Sequence, residues 1–306
     1  MHYAGELAAL STALLWSFTA VFFSLAGKRI GSFNVNKIRL VFAAIIYVVV
    51  LLITTGHPLP IGLNSSQLFW LTLSGLIGLV IGDGCGFKSL VMIGPRLATL
   101  VMASAPIMAT VIAWVFLGEK LKLIELAGIT VTITGIAWVV SERHYGVNGL
   151  AEGHPDAGTL TRGVILALIA SLGQATGLVL SKHAMLDLGS NVPPLEASAV
   201  RIMTSLVIIW SYSALSGKLP QTIRSLKDGR AMLYSGGGAF FGPFLGVWSS
   251  LVAVSLIETG IAATLNATTP VLIIPTVILV YREKVTFRAV LGAIVAVIGV
   301  ALLFLG

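Results

Sequence analysis

The chain has 306 residues, of which 57% are hydrophobic and only 10% are charged. Soluble domains carry about 25% charged residues, so this composition excludes an ordinary soluble globular protein and predicts one embedded in lipid. The formal net charge of +7 does not indicate a nucleic-acid partner, because the basic residues lie between apolar stretches, where they set membrane topology. The single cysteine, Cys85, excludes an internal disulfide framework and a cysteine-based zinc site.

Ten segments are long enough to cross a bilayer, since a span needs about 20 mainly apolar residues. The predicted spans cover residues 4–26, 35–55, 67–91, 95–117, 122–141, 162–185, 195–215, 231–256, 259–281 and 285–305. The segment between spans five and six is the most polar in the chain. The sequence therefore predicts an all-α polytopic membrane protein with five-helix units at 1–141 and 162–306 and a linker at 142–161.

One block of residues occurs twice, with every member displaced by 164 positions. It comprises Pro106, Glu119-Lys120, Gly128 and Gly135 in the first copy, and Pro270, Glu283-Lys284, Gly292 and Gly299 in the second. Spans three and eight also carry small residues at every fourth position, under the same displacement. These ridges are Ser74, Gly78, Gly82 and Gly86, and Gly238, Gly242, Gly246 and Ser250. Such ridges let helix backbones approach closely in lipid, and internal repeats in membrane chains are typical of transporters.

Five spans per copy is an odd number, so the second copy should enter the membrane from the opposite side. The loop charges agree with this inversion. The basic loops follow spans one and seven and contain Lys28, Arg29 and Lys37, and Lys218, Arg224, Lys227 and Arg230. The loops after spans two and six contain neither Lys nor Arg. By the positive-inside rule the basic loops face the cytoplasm, which predicts a cell-membrane protein with both termini outside.

Several of these features resemble the EamA-type unit of the drug/metabolite transporter superfamily. They are Trp16-Ser17 early in span one, an arginine opening span two, a proline within span four, and Gly118-Glu119-Lys120 before a glycine-spaced fifth span. The resemblance covers the whole chain, twice. It implies ten helices in two inverted five-helix repeats around a central cavity, and export of small metabolites such as amino acids. Well-known ten-helix members are usually drawn with cytoplasmic termini, whereas the loop charges here predict the reverse.

The repeated prolines are the first candidates for a substrate site. Pro106 and Pro270 lack an N–H and should free the carbonyl groups of Met102 and Asn266, four residues earlier. A substrate, a water or a neighbouring helix can satisfy such carbonyls. Broken helices at corresponding positions of two halves point to a transport site, although a packing kink without ligand contact is an equal alternative.

Two charges fall inside span three. Burying Asp83 or Lys88 at the bilayer centre costs roughly 3 kcal/mol or more, so each needs a partner or a wet cavity. Their five-residue spacing is poor for mutual pairing. Asp83 is predicted to bind a substrate ammonium or a coupling proton, although the equivalent residue in the second copy is Val247. Lys88 either binds a carboxylate or, in the favoured interpretation, snorkels to the interface.

Two arginines and three further side chains complete the candidate set. Arg39 and Arg201 open spans two and seven. The favoured interpretation is an interfacial anchor or a pair with a loop carboxylate, and the alternative is that one of them faces a cavity mouth and attracts anionic groups. Trp16, Gln174 and Trp248 either line a cavity for a small amphipathic molecule or simply pack and face lipid.

These observations favour a secondary transporter working by alternating access, with a small-molecule substrate, the lipid bilayer and a coupling proton as partners and no cofactor. No GxxxxGK[ST] loop supports direct ATP drive. An uncoupled facilitator or channel remains an alternative. An intramembrane enzyme is less favoured, because the chain has no GxSxG or HExxH motif.

Overall fold

The computed structural model describes residues 3–142, 157–186, 189–269, 271–272 and 287–305, and within these ranges the chain forms helices and no strand. Eight described stretches are long and apolar enough to cross a membrane. They are Ala4–Ile30, Ser32–Thr55, Ser65–Ile93, Leu100–Leu117, Leu123–Val140, Ala157–Leu186, Pro194–Leu215 and Gly229–Leu256. These stretches confirm predicted spans one to eight.

The two remaining predicted spans are described in part. Span nine lies largely outside the described residues, and its described beginning is the helix Thr259–Asn266. Span ten corresponds to the helix Phe287–Leu305, of which Val290–Leu305 is a shorter apolar helix. The count of ten spans therefore stays a prediction.

The described helices follow the same order in both halves of the chain. The first half contains α1 Ala4–Ile30, α2 Ser32–Thr55, α3 Ser65–Gly75, the π-helix π1 Leu76–Gly82, α4 Asp83–Met102, α5 Ala105–Leu117 and α6 Leu123–Glu142. The second half contains α7 Ala157–Leu186, α8 Pro194–Leu215, the short α9 Leu219–Ser225, α10 Gly229–Ala239, the π-helix π2 Phe240–Gly246, α11 Val247–Leu256, α12 Thr259–Asn266 and α13 Phe287–Leu305.

Local sequence sets two of the helix ends in the first half. Asn64 and Gln67 form a capping box before α3, in which Asn64 Oδ1 accepts from the Gln67 N–H at 2.8 Å and Gln67 Oε1 accepts from the Asn64 N–H at 3.0 Å. Gly118 ends α5 with a φ of 70° in the left-handed region, which glycine adopts without a steric penalty. This conformation explains the glycine of the Gly118-Glu119-Lys120 motif.

Pro106 lies at a break between two helices, one of the two possibilities that the sequence left open. The backbone stays helical from Asp83 to Met102, and a new helix begins at Ala105. Pro106 lies in the first turn of that helix, where a backbone N–H has no intrahelical partner to lose. Pro106 therefore starts a helix instead of kinking a continuous one, while the companion prediction for Pro270 falls outside the described residues.

Lys37 is also placed differently. The sequence assigned it to the basic loop after span one, but α2 begins at Ser32 and Lys37 is fully buried inside it. The Lys37 ammonium donates to Ser213 Oγ at 3.2 Å and to Thr222 Oγ1, so it joins α2 to α8 and α9. The sequence predicted a loop lysine in contact with water. In the structure, hydroxyl groups from the second half of the chain bind its ammonium group instead.

The helices pair across the two halves in a symmetric pattern. In one type of pairing, α1 packs against α10, π2 and α11, while α7 packs against α3, π1 and α4. In the other type, helices at corresponding positions meet: α2 with α8, α5 with α12, and α6 with α13. Each contact made by a helix of the first half therefore has a counterpart made by the corresponding helix of the second half. This is expected of two copies of one unit related by a pseudo-twofold axis.

The small-residue ridges form the first type of pairing. On the α3 side, Ser74 Oγ donates to the Gly177 carbonyl of α7 at 2.6 Å, and a methyl group added at Gly78 would lie 3.7 Å from the Cα of Gly177. On the α10 side, a methyl group at Gly242 would lie 2.7 Å from Thr19 of α1. The close approach predicted from the ridges is confirmed.

Both ridges contain a π-helical turn, at Leu76–Gly82 and at Phe240–Gly246. These segments are displaced by the same 164 residues as the repeated block. Pro243 lies inside π2, but the corresponding residue of π1 is Leu79, so proline is not required for the π-helical turn. The wider turn is a feature of the repeated unit, and π-helical turns are frequent at functional sites.

The repeated glycines form the contact between α6 and α13. A methyl group at Gly128 would lie 3.1 Å from the Gly299 carbonyl oxygen, and one at Gly292 would lie 3.0 Å from the Val139 nitrogen. Gly135 faces the backbone of Ala296, and Gly299 faces that of Thr132, too closely for any side chain. The glycines that reveal the repeat in the sequence therefore touch the opposite copy in the fold.

Gly135→Ala should destabilise the protein, because the new methyl group collides with the backbone of α13, which cannot move aside as a side chain would. Overpacking of this kind costs about 1–3 kcal/mol, seen as a lower thermal unfolding temperature of the purified protein in detergent. Gly84→Ala is the matched control, since no atom lies within 4 Å of its added methyl group. Equal unfolding temperatures for the two variants would contradict this packing.

Candidate functional site

A buried ion pair joins spans two and three. Arg39 in α2 contacts Asp83 through Nη2 and Oδ2, and the two side chains are 2% and 13% exposed. Arg39 Nε also donates to Asn36 Oδ1 at 2.8 Å, and its guanidinium lies over the rings of Phe87 and Phe23 at 5.4 and 5.8 Å. The partner expected for Asp83 is present, whereas Arg39 differs from the interfacial anchor that the sequence favoured. Asp83 neutralises the Arg39 guanidinium among the helices, so the Arg39 side chain does not have to extend to the membrane–water interface.

Arg201 occupies the corresponding position of the second half but has a different environment. Its side chain is buried in α8, with 5% of the residue exposed, which again differs from an interfacial anchor. Methyl groups at Gly78 and Gly177 would lie 3.3 and 3.4 Å from its Nη2, so the guanidinium is held against the glycine ridges. Its Nε has no hydrogen-bond partner among the described residues. Asp83, already paired with Arg39, acts on Arg201 electrostatically.

Two predicted site residues lie apart from this cluster. Lys88 and Gln174 are both exposed, unlike the buried arginines. Asp83 pairs with Arg39 and not with Lys88, as the five-residue spacing between the two charges suggested. The Gln174 backbone nitrogen would lie 3.5 Å from a methyl group at Gly82, so this position of α7 packs on the ridge although the residue is exposed.

A second polar cluster joins α1, α11 and α12. Asn266 Nδ2 donates to Ser250 Oγ at 3.1 Å, while Asn266 Oδ1 is buried and has no partner among the described residues. Thr269 Oγ1 donates to the Asn266 carbonyl at 3.0 Å, and Ser17 Oγ donates to the Thr269 carbonyl at 3.4 Å. The carbonyl group predicted to be free at Asn266 is therefore satisfied locally, and the amide oxygen is the unsatisfied atom instead.

The two tryptophans lie near the contact between α1 and the π2 region. The indole Nε1 of Trp16 would be 3.1 Å from a methyl group at Gly246, so Trp16 covers the end of π2. Trp248 lines an apolar pocket of about 240 Å³ together with Leu15, Leu245, Ser249 and Val252. The aromatic side chains thus have different neighbours, and the described contacts do not place them in one shared pocket.

Met102 and Pro106 lie on either side of the break between α4 and α5. The Met102 Cε would be 3.4 Å from a methyl group at Gly86, the last residue of the first ridge. Pro106 is buried, and its carbonyl accepts from Thr110 Oγ1 at 2.9 Å. The break between α4 and α5 therefore lies against the ridge of span three.

Ion pairs link the two halves at both ends of the helices. At the end that contains the chain termini, Glu119 Oε1 lies 2.9 Å from Lys182 Nζ, and Glu119 Oε2 accepts from the Thr259 N–H at 2.7 Å. At the opposite, basic end, Asp228 Oδ2 lies 2.8 Å from Arg29 Nε. The pKa of the Asp228 carboxyl is lowered because it accepts hydrogen bonds from the Ala231 N–H and from Arg29. We call these contacts the Glu119 latch and the Asp228 latch.

Sequence reasoning missed four residues of this region. Asn36 and Tyr47 lie on α2, and Ser198 and Ser205 lie on α8. Asn36 is three residues before Arg39, the spacing of side-chain pairs on a helix, and this was a usable signal. Tyr47 donates to the Phe244 carbonyl of π2 at 2.9 Å, a contact 197 residues away that no local pattern reveals.

Arg39→Gln should lower the free energy of unfolding by about 3–5 kcal/mol, because it leaves the Asp83 carboxylate buried without its partner. Adding Asp83→Asn removes the stranded charge and should restore part of the loss. Chemical or thermal unfolding of the single and double variants in detergent measures both effects. A double variant no more stable than Arg39→Gln would show that the pair is not the source of the loss.

Comparison with known proteins places this architecture in a family. The EamA-like transporter family matches residues 3–141 and again residues 161–305. Comparison with curated proteins finds no match. A solved crystal structure of a protein is similar at 16% sequence identity with a TM-score of 0.74, over 97% of this chain and 95% of that chain. At this identity the likeness shows the fold alone. With two matched repeats, eight membrane-length helices and ridge contacts between the halves, the chain belongs to the EamA-like transporter family.

Proposed function

We propose that this protein is a secondary transporter that exports small metabolites such as amino acids, by alternating access through a cavity between its two repeats. In this proposal ten helices form two inverted five-helix units in the cell membrane. The observation that carries the proposal is the pair of equivalent interfaces, α1 with α10–π2–α11 and α7 with α3–π1–α4. Two interfaces of the same construction allow one half to rock against the other and reach two related states.

The two latches support the same mechanism. The Glu119 latch joins the first repeat to Lys182 and Thr259 of the second, and the Asp228 latch joins Arg29 of the first repeat to the second at the other end. Alternating access requires that these contacts break in turn, one when the cavity opens outward and the other when it opens inward. Exposed ion pairs contribute about 0–1 kcal/mol, so the Asp228 latch is weak enough to open.

Transport is tested with purified protein in liposomes loaded with amino acids and related metabolites, with and without an imposed pH gradient. We expect net efflux that is faster than from protein-free liposomes and that responds to the gradient. Protein-dependent efflux that ignores the gradient would favour the uncoupled facilitator. No protein-dependent movement of any compound would overturn the transporter proposal.

The coupling group is tested in the same assay. If Asp83 carries the coupling proton, the double variant Arg39→Gln/Asp83→Asn should lose the response to the pH gradient while it remains in the membrane. This variant avoids the stranded arginine that Asp83→Asn alone would leave beside the ridge. A normal gradient response in the double variant would assign Asp83 to structure alone.

The orientation has its own test. Ser66, near the start of α3, and Ser216, after α8, are exposed at opposite ends of the helices. Each is replaced by Cys in a Cys85→Ser background and treated with a membrane-impermeant thiol reagent on intact cells. We expect labelling at position 66 and none at position 216, because the basic loops face the cytoplasm. The reverse pattern would place the termini inside.

A further inference from the structure

We propose that Arg201 and Ser205 form the binding site for a carboxylate group of the transported molecule. The inference rests on the proposed transport function and names the substrate class. It starts from the charge balance of the central cluster, where two buried arginines, Arg39 and Arg201, share one carboxylate, Asp83. Because Asp83 is in direct contact with Arg39, the cluster carries an excess positive charge at Arg201.

The two repeats show that the excess is specific to Arg201. Positions 162 residues apart correspond in α2 and α8, so Arg39 matches Arg201 and Asn36 matches Ser198. Asn36 accepts from Arg39, whereas the Ser198 hydroxyl donates to the Pro194 carbonyl at 2.7 Å. On span three Arg39 has Asp83, and the residue corresponding to Asp83 in the second repeat is Val247. Each partner of Arg39 is therefore replaced by a different residue at the corresponding position, and Arg201 Nε has no hydrogen-bond partner among the described residues.

A second unsatisfied group lies one turn away. Arg201 Nε and Ser205 Oγ are both buried and both lack a hydrogen-bond partner among the described residues. Residues four apart on a helix lie on the same face, so the two donors point to one region. The residue of the first repeat that corresponds to Ser205 is the apolar Ala43. The second repeat thus has an additional donor, the Ser205 hydroxyl, beside Arg201, whose Nε has no acceptor among the described residues.

Three glycines lie against these two side chains. A methyl group at Gly75 would lie 2.8 Å from Ser205 Oγ, and methyl groups at Gly78 and Gly177 would lie within 3.4 Å of Arg201 Nη2. Gly75 precedes π1 and Gly78 lies inside it, so the π-helical segment closes over the site. In this proposal the segment moves aside to admit two acceptor oxygens. Carboxylate oxygens match the paired N–H groups of a guanidinium and accept from a neighbouring hydroxyl.

The binding test uses the purified full-length protein in detergent and three matched probes. They are L-leucine, L-leucinamide, which lacks the carboxylate, and 4-methylpentanoate, which lacks the ammonium. We expect L-leucine and 4-methylpentanoate to raise the thermal unfolding temperature in a saturable way and L-leucinamide to leave it unchanged. Stabilisation by L-leucinamide equal to that by L-leucine, or no stabilisation by either carboxylate, would overturn the site.

The variants separate binding from folding. Arg201→Gln should abolish the carboxylate effect, and Ser205→Ala should weaken carboxylate affinity by roughly tenfold, as expected for one hydrogen bond to a charged group. Ser205→Ala should not lower the unfolding temperature of the ligand-free protein, because it removes a buried hydroxyl without a partner. Arg162→Gln, at an exposed position of α7, is the matched control and should bind normally. Normal carboxylate binding by both Arg201→Gln and Ser205→Ala would also overturn the site.

Efflux of the same three probes from proteoliposomes distinguishes this inference from the proposed function. Protein-dependent efflux of L-leucine but not L-leucinamide supports both. Equal efflux of L-leucine and L-leucinamide supports transport and overturns the carboxylate site. Carboxylate-dependent stabilisation without movement of any probe supports the site and overturns transport.

Discussion

The fold depends on backbone contacts that only small residues allow. In a bilayer, apolar side chains gain no hydrophobic free energy by exchanging contact with lipid for contact with another helix. Helices therefore associate through close packing and hydrogen bonds. Here the closest contacts join the two repeats: Gly135 meets the backbone of α13, and Gly299 meets that of α6. The ridges of α3–π1 and α10–π2 provide the same closeness to α7 and α1. The small side chains at these positions let the two repeats pack closely into one protein.

The two repeats are alike in their packing but differ in their buried charged and polar residues. The glycines are matched across the repeats, yet Asp83 has Val247 as its counterpart and Asn36 has Ser198. A buried charge without a partner is costly, so such differences are not neutral substitutions on a duplicated scaffold. In the first repeat they produce a satisfied arginine that holds α2 to α4. In the second they leave Arg201 Nε and Ser205 Oγ without a hydrogen-bond partner among the described residues, beside a π-helical turn.

Local patterns predicted the parts of this structure that depend on local physics. Apolar length located spans one to eight, and the four-residue spacing of small residues identified the interfaces between the repeats. The cost of burying Asp83 predicted that it has a partner, but not that the partner is Arg39, because that contact joins residues 44 apart through packing. The π-helical turns left no signal, since a wider turn depends on what the helix packs against. The sequence left open whether Pro106 kinks a helix or lies at a break, because a proline looks the same in sequence in both cases.

Matched scaffolds and unmatched charges have separate consequences for a transporter. If the two repeats were identical in every residue, the inward-facing and outward-facing states would be equivalent. A ligand bound on the pseudo-twofold axis would then have the same affinity for both states. Glycines at corresponding positions, Gly78 against Gly177 and Gly242 against the Thr19 side chain, preserve part of that equivalence at the two interfaces. Arg201 and Ser205 do not, because their counterparts Arg39 and Ala43 are satisfied or apolar. A ligand that binds them contacts one repeat more strongly than the other, and it can shift the balance between the two states only by such a difference in affinity.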